Sequence, residues 1–246
     1  VKAVRRAGKG LIIELSNGYA ITAHIKLTGQ FIFKSPKLKD QKLSAKIGGE
    51  LPNKFTHLIF TLDQGAFLYY NDLRQFGWIK ILPSSEVCKL PFFKELGPEP
   101  PVVGITRVLS QVSPQEHPQG DPFLGVPLPA PPVDNVLTLE RFKEIVGKSP
   151  TKIKPLIMDQ KKIGGIGNIY ANDALWLAGI DPRRPAKSLS LSEQSKLYDA
   201  ILEVLKRGLK HGGASEINFV NALGQEGGYQ KHFLAYAQDG QPCPRC

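Results

Sequence analysis

Residues 161–185 read KKIGGIGNIYANDALWLAGIDPRRP. They join two stretches of helical apolar spacing through a turn that contains Gly164, Gly165 and Gly167 and ends in Asn168. Glycine permits left-handed backbone and close approach of another group, and Asn168 can either cap the next helix or point its amide outward. A helix beginning there would aim free backbone N–H groups at the turn, which suits a phosphate. The alternative is a tight corner between two helices without a ligand.

The composition is that of a basic globular protein. The chain has 32 Lys and Arg against 22 Asp and Glu, a formal net charge of +10, so polyanions are natural partners. The same balance also occurs in basic proteins without such a partner. A hydrophobic content of 41% over 246 residues allows one large core or two moderate ones. The sequence shows neither a long apolar run nor a signal peptide, which predicts no membrane partner and a cytoplasmic location.

Strand signals dominate residues 10–82. Alternating apolar residues lead into Asn17-Gly18, a strong hairpin signal, and the alternation continues beyond it. A second candidate hairpin alternates through Leu58 and Phe60 and turns at residues 63–65. The pattern predicts two antiparallel sheets packed face to face. Cys88 lies in this half and is expected to be a small buried residue.

Helical spacing takes over after residue 137. Thr138 is positioned to cap a first helix, and Ser190 with Glu193 forms a capping box before a second one. The apolar stripe of that second helix is expected to include Leu209. Between the two halves, residues 98–134 are rich in proline and read as a linker. The fold class is therefore α+β, with two domains and a cleft between them.

The segment at 161–185 resembles the helix-two-turns-helix motif of the formamidopyrimidine-DNA glycosylase family, bacterial base-excision enzymes that act on oxidised purines. Other segments resemble the same family in the right order: RRAGKGLIIEL at 5–15, HIKLTG at 24–29, NDLRQFG at 71–77, LGPEP at 96–100, IKPLIMDQ at 153–160, and HGGASEINF through GQPCPRC at 211–246. The resemblance covers nearly the whole chain except residues 101–134, where the family has a shorter connection.

The resemblance implies a division into four parts. Residues 1–97 would form an antiparallel β-sandwich catalytic domain that lacks its N-terminus, and residues 98–134 a proline-rich linker or insertion. Residues 135–235 would form the helix-two-turns-helix DNA-binding domain, and residues 236–246 the start of an incomplete zinc finger.

Chemistry on a base inside a duplex requires the nucleotide to be turned out, the backbone to be held by cations and the gap to be filled by a side chain. Lys9 matches the family lysine that assists strand cleavage at the abasic sugar. Arg74 and Phe76 match residues that enter the vacated space and contact the opposite base. Leu27 matches a third void-filling position that is commonly methionine, and His24 beside it is a possible phosphate contact.

On the helical side, Lys154 and Asn168 match the residues by which the family grips phosphates, and Tyr170 accompanies them at the start of a helix. Two positions depart from the pattern. A DNA-contacting histidine of the family matches Phe55, and a basic residue expected before Lys154 matches Pro150.

Two further expectations concern groups beyond these motifs. Cys243 and Cys246 would supply two of the four thiolates of a structural zinc ion, the only cofactor expected. The family attacks the sugar with an N-terminal proline amine and uses a following glutamate as general acid. Because the chain starts at Val1, we expect these 246 residues alone to lack base-excision activity, and the complete protein to have it.

The resemblance thus predicts a monomeric DNA glycosylase that removes formamidopyrimidines and oxidised guanine and then cleaves the abasic site by β-elimination. Its partner would be double-stranded DNA that contains oxidised bases or abasic sites. Two alternatives remain open: a glycosylase of the sister class that prefers oxidised pyrimidines, and a non-catalytic relative that binds damaged DNA. Ribosomal and topoisomerase proteins share the helical motif but lack the strand-rich half with its Lys9 and Arg74 loops.

Overall fold

The computed structural model describes residues 1–38, 41–103, 135–243 and 245. Within these ranges, seven strands lie in the first half: β1 Ala3–Ala7, β2 Gly10–Glu14, β3 Tyr19–His24, β4 Gly29–Lys34, β5 Thr56–Thr61, β6 Phe67–Asp72 and β7 Trp78–Pro83. The described α-helices follow: α1 Pro91–Lys94, α2 Leu139–Lys148, α3 Ile153–Met158, α4 Asn168–Ala178 and α5 Leu191–Lys210. The α+β class predicted from the sequence is confirmed.

The strands form two antiparallel sheets, in the orders β1-β2-β3-β7 and β4-β6-β5. Both predicted hairpins are present. Strands β2 and β3 pair across Asn17-Gly18, and Gly18 adopts the left-handed φ of 83° that such a turn requires. Strands β5 and β6 pair across residues 63–65. These sheets make up the β-sandwich domain.

One burial expectation in this half was wrong, that for Cys88. On β5, Leu58 and Ile59 are 42% and 49% exposed, because β5 is an edge strand with few of the described residues packed against either face. Cys88 is also exposed. It lies in a short 3-10 segment whose buried residue is Val87, so the apolar neighbour, and not the thiol, faces the first sheet.

A separate core holds the helices together. Phe142, Ile153, Ile166, Leu197 and Val204 are completely buried in it. The two predicted helix starts are confirmed by their hydrogen bonds. The Thr138 hydroxyl accepts from the backbone N–H of Arg141, and Ser190 and Glu193 form the reciprocal capping box of α5.

The prediction for Leu209 was wrong, since it is 59% exposed near the end of α5. The apolar stripe has already rotated away from the core at this point, because one helical turn is 3.6 residues long.

The chain returns to the first domain after α5. The carbonyl oxygens of Ala222 and Gly224 accept hydrogen bonds from Phe33 N–H (2.7 Å) and Ser44 N–H (2.8 Å). Val220 is buried in the apolar cluster of sheet β4-β6-β5. The segment 215–226 therefore ties the helical half to the edge of this sheet.

Most of the proline-rich segment predicted as a linker, residues 104–134, lies outside the described residues. At its start, the N–H of Glu99 donates to Asn135 and the N–H of Leu137 donates back to Glu99. The two ends of the segment are thus hydrogen-bonded to one another. In the described part of the chain, no helix has the length and apolar character needed to cross a membrane.

Candidate nucleic-acid interface

The glycine turn between α3 and α4 is organised around the side chain of Gln160. Its amide N–H groups donate to the carbonyl oxygens of Met158 and Ile166, both at 2.8 Å. Its oxygen accepts the N–H of Gly165 at 2.9 Å, and Gly165 has a φ of 87° that is strained for other residues. One side chain therefore holds both sides of the turn, so the turn has a defined shape.

Helix α4 begins directly after this turn. Gly167 occupies the N-cap position and no side chain caps the helix, so the first N–H groups face outward. Asn168 is the first helical residue and is exposed, which favours the outward amide over the capping role. Lys154 lies half-buried in the first turn of α3. The predicted phosphate-gripping residues Lys154 and Asn168 thus lie on two helices joined by one ordered turn.

Tyr170 differs from its neighbour Asn168 because most of its ring is packed inside the protein. The ring lies 5.1 Å from that of Tyr229, and a Cβ on Gly208 of α5 would be 2.5 Å from its atoms. Burial, with Asp173 nearby, raises the pKa of Tyr170. Its visible contacts are therefore within the protein and set the position of the α4 start.

Lys9 reaches this turn from the other domain. It lies between β1 and β2, and a Cβ on Gly167 would be 3.4 Å from its Nζ atom. Although the side chain as a whole is exposed, the crowding of its ammonium group by protein atoms and the charge of Lys26 lower its pKa. In the described part of the chain, no acid forms an ion pair with Lys9. A cation held in this way attracts an anion.

Glu99 holds the Lys9 loop against the helical domain. Its carboxylate accepts hydrogen bonds from Arg6 Nη2 at 2.6 Å and from the N–H of Gly8. Its side chain also lies against the glycine turn, since a Cβ on Gly164 would be 3.0 Å from Glu99 Cγ. Glu99 is only 7% exposed. The position of Lys9 next to Gly167 therefore depends on a buried acid between the two domains.

Asp72 connects the two loops that carry the predicted void-filling residues. Its carboxylate accepts hydrogen bonds from the Thr28 hydroxyl and from the N–H groups of Arg74 (3.3 Å) and Gly77 (2.8 Å). Burial opposes ionisation, but these bonds and one from Tyr70 keep the pKa of Asp72 below its usual value. The loop at 24–29 and the loop at 71–77 are thus joined at one buried anion.

The side chains at the tips of these loops point outward. Leu27 is 64% exposed and Phe76 is 58% exposed. The Arg74 guanidinium lies 4.7 Å from the centre of the Phe76 ring. The residues that precede Leu27 and Phe76 have left-handed backbone, with φ angles of 52° at Lys26 and 56° at Gln75. This conformation costs free energy, so each loop is held in one shape beside its exposed side chain. Exposed apolar groups on ordered loops are available to enter a gap in a base stack.

His24 is buried and neutral. It is 7% exposed, its ring packs edge-on against Phe92 at 4.9 Å, and its Nδ1 accepts the N–H of Lys26 at 3.0 Å. Burial, with the charges of Lys26 and Lys9, lowers its pKa to about 4. Its visible role is to shape the loop that carries Leu27.

The predicted zinc ligands are only partly described. Cys243 is exposed, whereas Cys246 lies outside the described residues. Among the residues that the structure describes, no group of three or more His, Cys, Asp or Glu side chains could hold a metal ion. A structural zinc ion takes four ligands. The described residues therefore do not make up a zinc site, and no step of the chemistry is derived through one.

A β-sandwich followed by a helix-two-turns-helix unit, with a lysine and exposed apolar loops between them, defines a class of two-domain proteins. Comparison with known families shows which of them the chain matches. Residues 1–79 match the formamidopyrimidine-DNA glycosylase N-terminal domain, and residues 128–219 match the formamidopyrimidine-DNA glycosylase H2TH domain. The chain belongs to the formamidopyrimidine-DNA glycosylase family.

Individual relatives agree with this assignment. The formamidopyrimidine-DNA glycosylase of Pelotomaculum thermopropionicum is 33% identical over 243 residues, which cover 99% of this chain and 72% of the relative. That of Lactiplantibacillus plantarum is 32% identical over 246 residues, which cover 100% of this chain and 74% of the relative.

Two solved structures show the same fold. MutM (Fpg) from Thermus thermophilus has a TM-score of 0.73 at 28% identity, covering 99% of this chain and 73% of that one. The Lactococcus lactis Fpg in complex with DNA containing an abasic site has a TM-score of 0.71 at 27% identity, covering 99% and 72%.

Sequence reasoning missed three residues that organise this interface. Each lies inside a segment that resembles the family, but the resemblance implied no role for it: Asp72, Glu99 and Gln160. An acid or an amide in a loop is usually solvated, so residue type alone does not single it out. The signal is the set of hydrogen bonds that each side chain makes to other segments, with Asp72 and Glu99 also buried, and only the packed structure reveals it.

Proposed function

We propose that the protein is a base-excision DNA glycosylase that removes oxidised purines and cleaves the resulting abasic site by β-elimination. One observation carries this proposal: the Lys9 ammonium of the β-sandwich domain meets the Gly167 turn of the helical domain. A cation that forms no ion pair with any described acid, beside the open N-terminus of α4, is suited to a DNA phosphate. Membership of the glycosylase family supports the reaction class.

The described residues would divide the work between the two domains. Asn168, Lys154 and the first N–H groups of α4 would hold the backbone of the strand that carries the lesion. Leu27, Phe76 and Arg74 would enter the duplex where the nucleotide has left, the apolar side chains by stacking and the guanidinium by hydrogen bonds to the opposite base. Filling the gap offsets part of the cost of unstacking.

Lys9 would act at the sugar. Burial of its ammonium group and the charge of Lys26 lower the pKa of Lys9. Removing its proton therefore costs less free energy than removing one from a lysine in water. The proposed base removal needs, in addition, an N-terminal proline amine and a glutamate that donates a proton.

The expected zinc ion belongs to the same proposal. Cys243 and Cys246 would be two of its four ligands, and the ion would order the end of the chain without taking part in the reaction. Zinc content measured on the complete protein, with Cys243→Ser as the comparison, tests this part separately.

Borohydride trapping on a duplex with one oxidised guanine tests the proposed reaction. A protein that carries the proline amine should form a covalent adduct through an imine, and no adduct would contradict the lyase proposal.

A panel of lesions in the same assay tests the substrate class. A Lactococcus lactis relative was solved with DNA containing a Fapy-dG derivative and also with DNA containing an oxidised pyrimidine. We expect faster removal of oxidised purines. Faster removal of oxidised pyrimidines would support the sister class.

A further inference from the structure

A basic groove lies at the C-terminal end of α5, outside all the residues assigned to the DNA interface so far. It has a volume of about 560 Å³. One face of α5 and the segment after Tyr229 form its walls: Glu203, Lys206, Arg207, Lys210, His211, His232, Phe233 and Leu234. We call it the α5 groove.

Positive charge in the α5 groove is only partly neutralised. Arg207 pairs with Glu203, with 2.8 Å between Nε and Oε1. Lys206 and Lys210 are exposed, and neither forms an ion pair with an acid in the described ranges. Two lysine charges thus remain in a concave surface that holds a single carboxylate.

The end of the helix does not need these cations to complete its hydrogen bonds. The last carbonyl oxygens of α5 are partnered by backbone groups: His211 N–H donates to Arg207, Gly212 N–H to Leu209 and Gly213 N–H to Gly208. Lysines near a helix C-terminus often serve this purpose. Here the backbone does so, and the lysine ammonium groups remain available.

The histidines add hydrogen-bond donors to the same groove. The rings of His211 and His232 are stacked, with 3.8 Å between their centres and 27° between their planes. Partial burial, with smaller effects of His232 and Lys210, lowers the pKa of His211. A neutral imidazole keeps one N–H donor. Ammonium and imidazole donors together are suited to phosphate oxygens.

The α5 groove adjoins the start of α4. The ring of Tyr170, two residues after Asn168, lies directly over Gly208 of α5. Tyr229 packs on Tyr170, and the short 3-10 segment Tyr229–His232 then leads into the groove. The α5 groove and Asn168 are thus at the same end of the helical domain.

We propose that the α5 groove binds a backbone phosphate of the same DNA duplex, next to the phosphates held at Lys9 and Asn168. This inference rests on the proposed DNA-binding function and extends its contact surface beyond the residues that the family resemblance assigns. Lys206 and Lys210 provide the charge and the stacked histidines the orienting donors. The contact is independent of base sequence, as phosphate contacts are.

The salt dependence of duplex binding tests this inference. Each neutralised phosphate contributes about 0.9 to the slope of log K against log salt concentration. The double variant Lys206→Ala/Lys210→Ala should bind an abasic-site duplex several-fold more weakly than the unchanged protein, with a slope shallower by about 1. Both lysines are exposed, so the double variant should fold normally.

Lys196→Glu is the matched control, because it changes the net charge by the same two units. Lys196 lies near Leu177 at the far end of α4, about 13 Å along the helix from Asn168. The control should retain the original slope. Equal slopes for the double variant and the control would overturn the inference while leaving the proposed function intact. If the unchanged protein does not bind the duplex, the proposed function fails and the inference fails with it.

Discussion

The ammonium of Lys9 lies beside the backbone of Gly167, since a Cβ on Gly167 would be 3.4 Å from Nζ. These two residues are 158 positions apart and belong to different domains. Glu99 holds them together through the Arg6 and Gly8 contacts. The relationship makes one anion-binding position out of two motifs that the sequence presents separately.

Replacing Lys9 should affect DNA binding but not the stability of the fold. Because the side chain is exposed, Lys9→Ala should change the unfolding free energy by less than about 0.5 kcal/mol. Binding of an abasic-site duplex should weaken, with a slope against salt shallower by about 1. Thermal unfolding and fluorescence anisotropy measure the two effects. Lys9→Arg should restore binding, and a large loss of stability in Lys9→Ala would show that the lysine is structural.

Asp72 should stabilise both loops that carry exposed apolar side chains, residues 24–29 and 71–77. Asp72→Asn keeps the size of the side chain but removes the charge that accepts bonds from Thr28, Arg74 and Gly77. The loss should be about 2 kcal/mol, within the range for hydrogen bonds to a charged group. Urea unfolding measures it. Asp63→Asn, an exposed acid in the other hairpin turn, is the control and should cost almost nothing.

Substitutions at Lys154 and at Asn168 should weaken DNA binding in different ways. Lys154→Ala removes a charge, so the slope of binding against salt should become shallower by about 1. Asn168→Ala removes a neutral donor and should reduce affinity at every salt concentration without changing the slope. Titrations of one duplex from low to high salt distinguish the two. Identical slope changes would contradict the assigned contacts.

His24 should make the protein sensitive to acid. Its pKa is about 4 in the folded protein, below the ordinary value of 6.5, so the unfolded chain binds more protons between these values. Stability linked to His24 is therefore present above pH 6.5 and is lost as the pH falls towards 4, by about 3 kcal/mol in total. Asn in its place can still accept from Lys26 N–H but does not titrate.

The stability difference between the unchanged protein and His24→Asn should accordingly shrink as the pH falls from 7 to 4. Urea unfolding at several pH values measures this difference. Parallel stability curves would show that His24 has the same pKa in the folded and unfolded states, which would contradict its burial as a neutral ring.

The elements of the fold could be predicted because their signals are local. Asn17-Gly18 specifies a turn, and Ser190 with Glu193 specifies a helix start, whatever surrounds them. The exposure of Leu58, Cys88 and Leu209 could not be predicted in this way, because burial depends on which elements pack against one another.

The candidate site shows the same division. Residues that project outward, such as Phe76 and Asn168, could be identified by matching motifs. Residues that hold them, such as Asp72 and Gln160, act through contacts across the fold that sequence spacing does not encode. The meeting of Lys9 with Gly167 is likewise a property of the assembled domains.

The central claim is that exposed loop side chains fill a gap in the base stack. The relative affinity for a duplex with a missing base tests this claim most directly. Equilibrium binding should be compared between an intact duplex and one with a single abasic site of the same sequence. We predict tighter binding to the abasic-site duplex, because Leu27 and Phe76 can fill the vacant space. The double variant Leu27→Ala/Phe76→Ala should fold normally and lose this preference, whereas Ile81→Ala, an equally exposed residue on β7, should keep it. Equal affinity of the unchanged protein for the two duplexes would contradict the account.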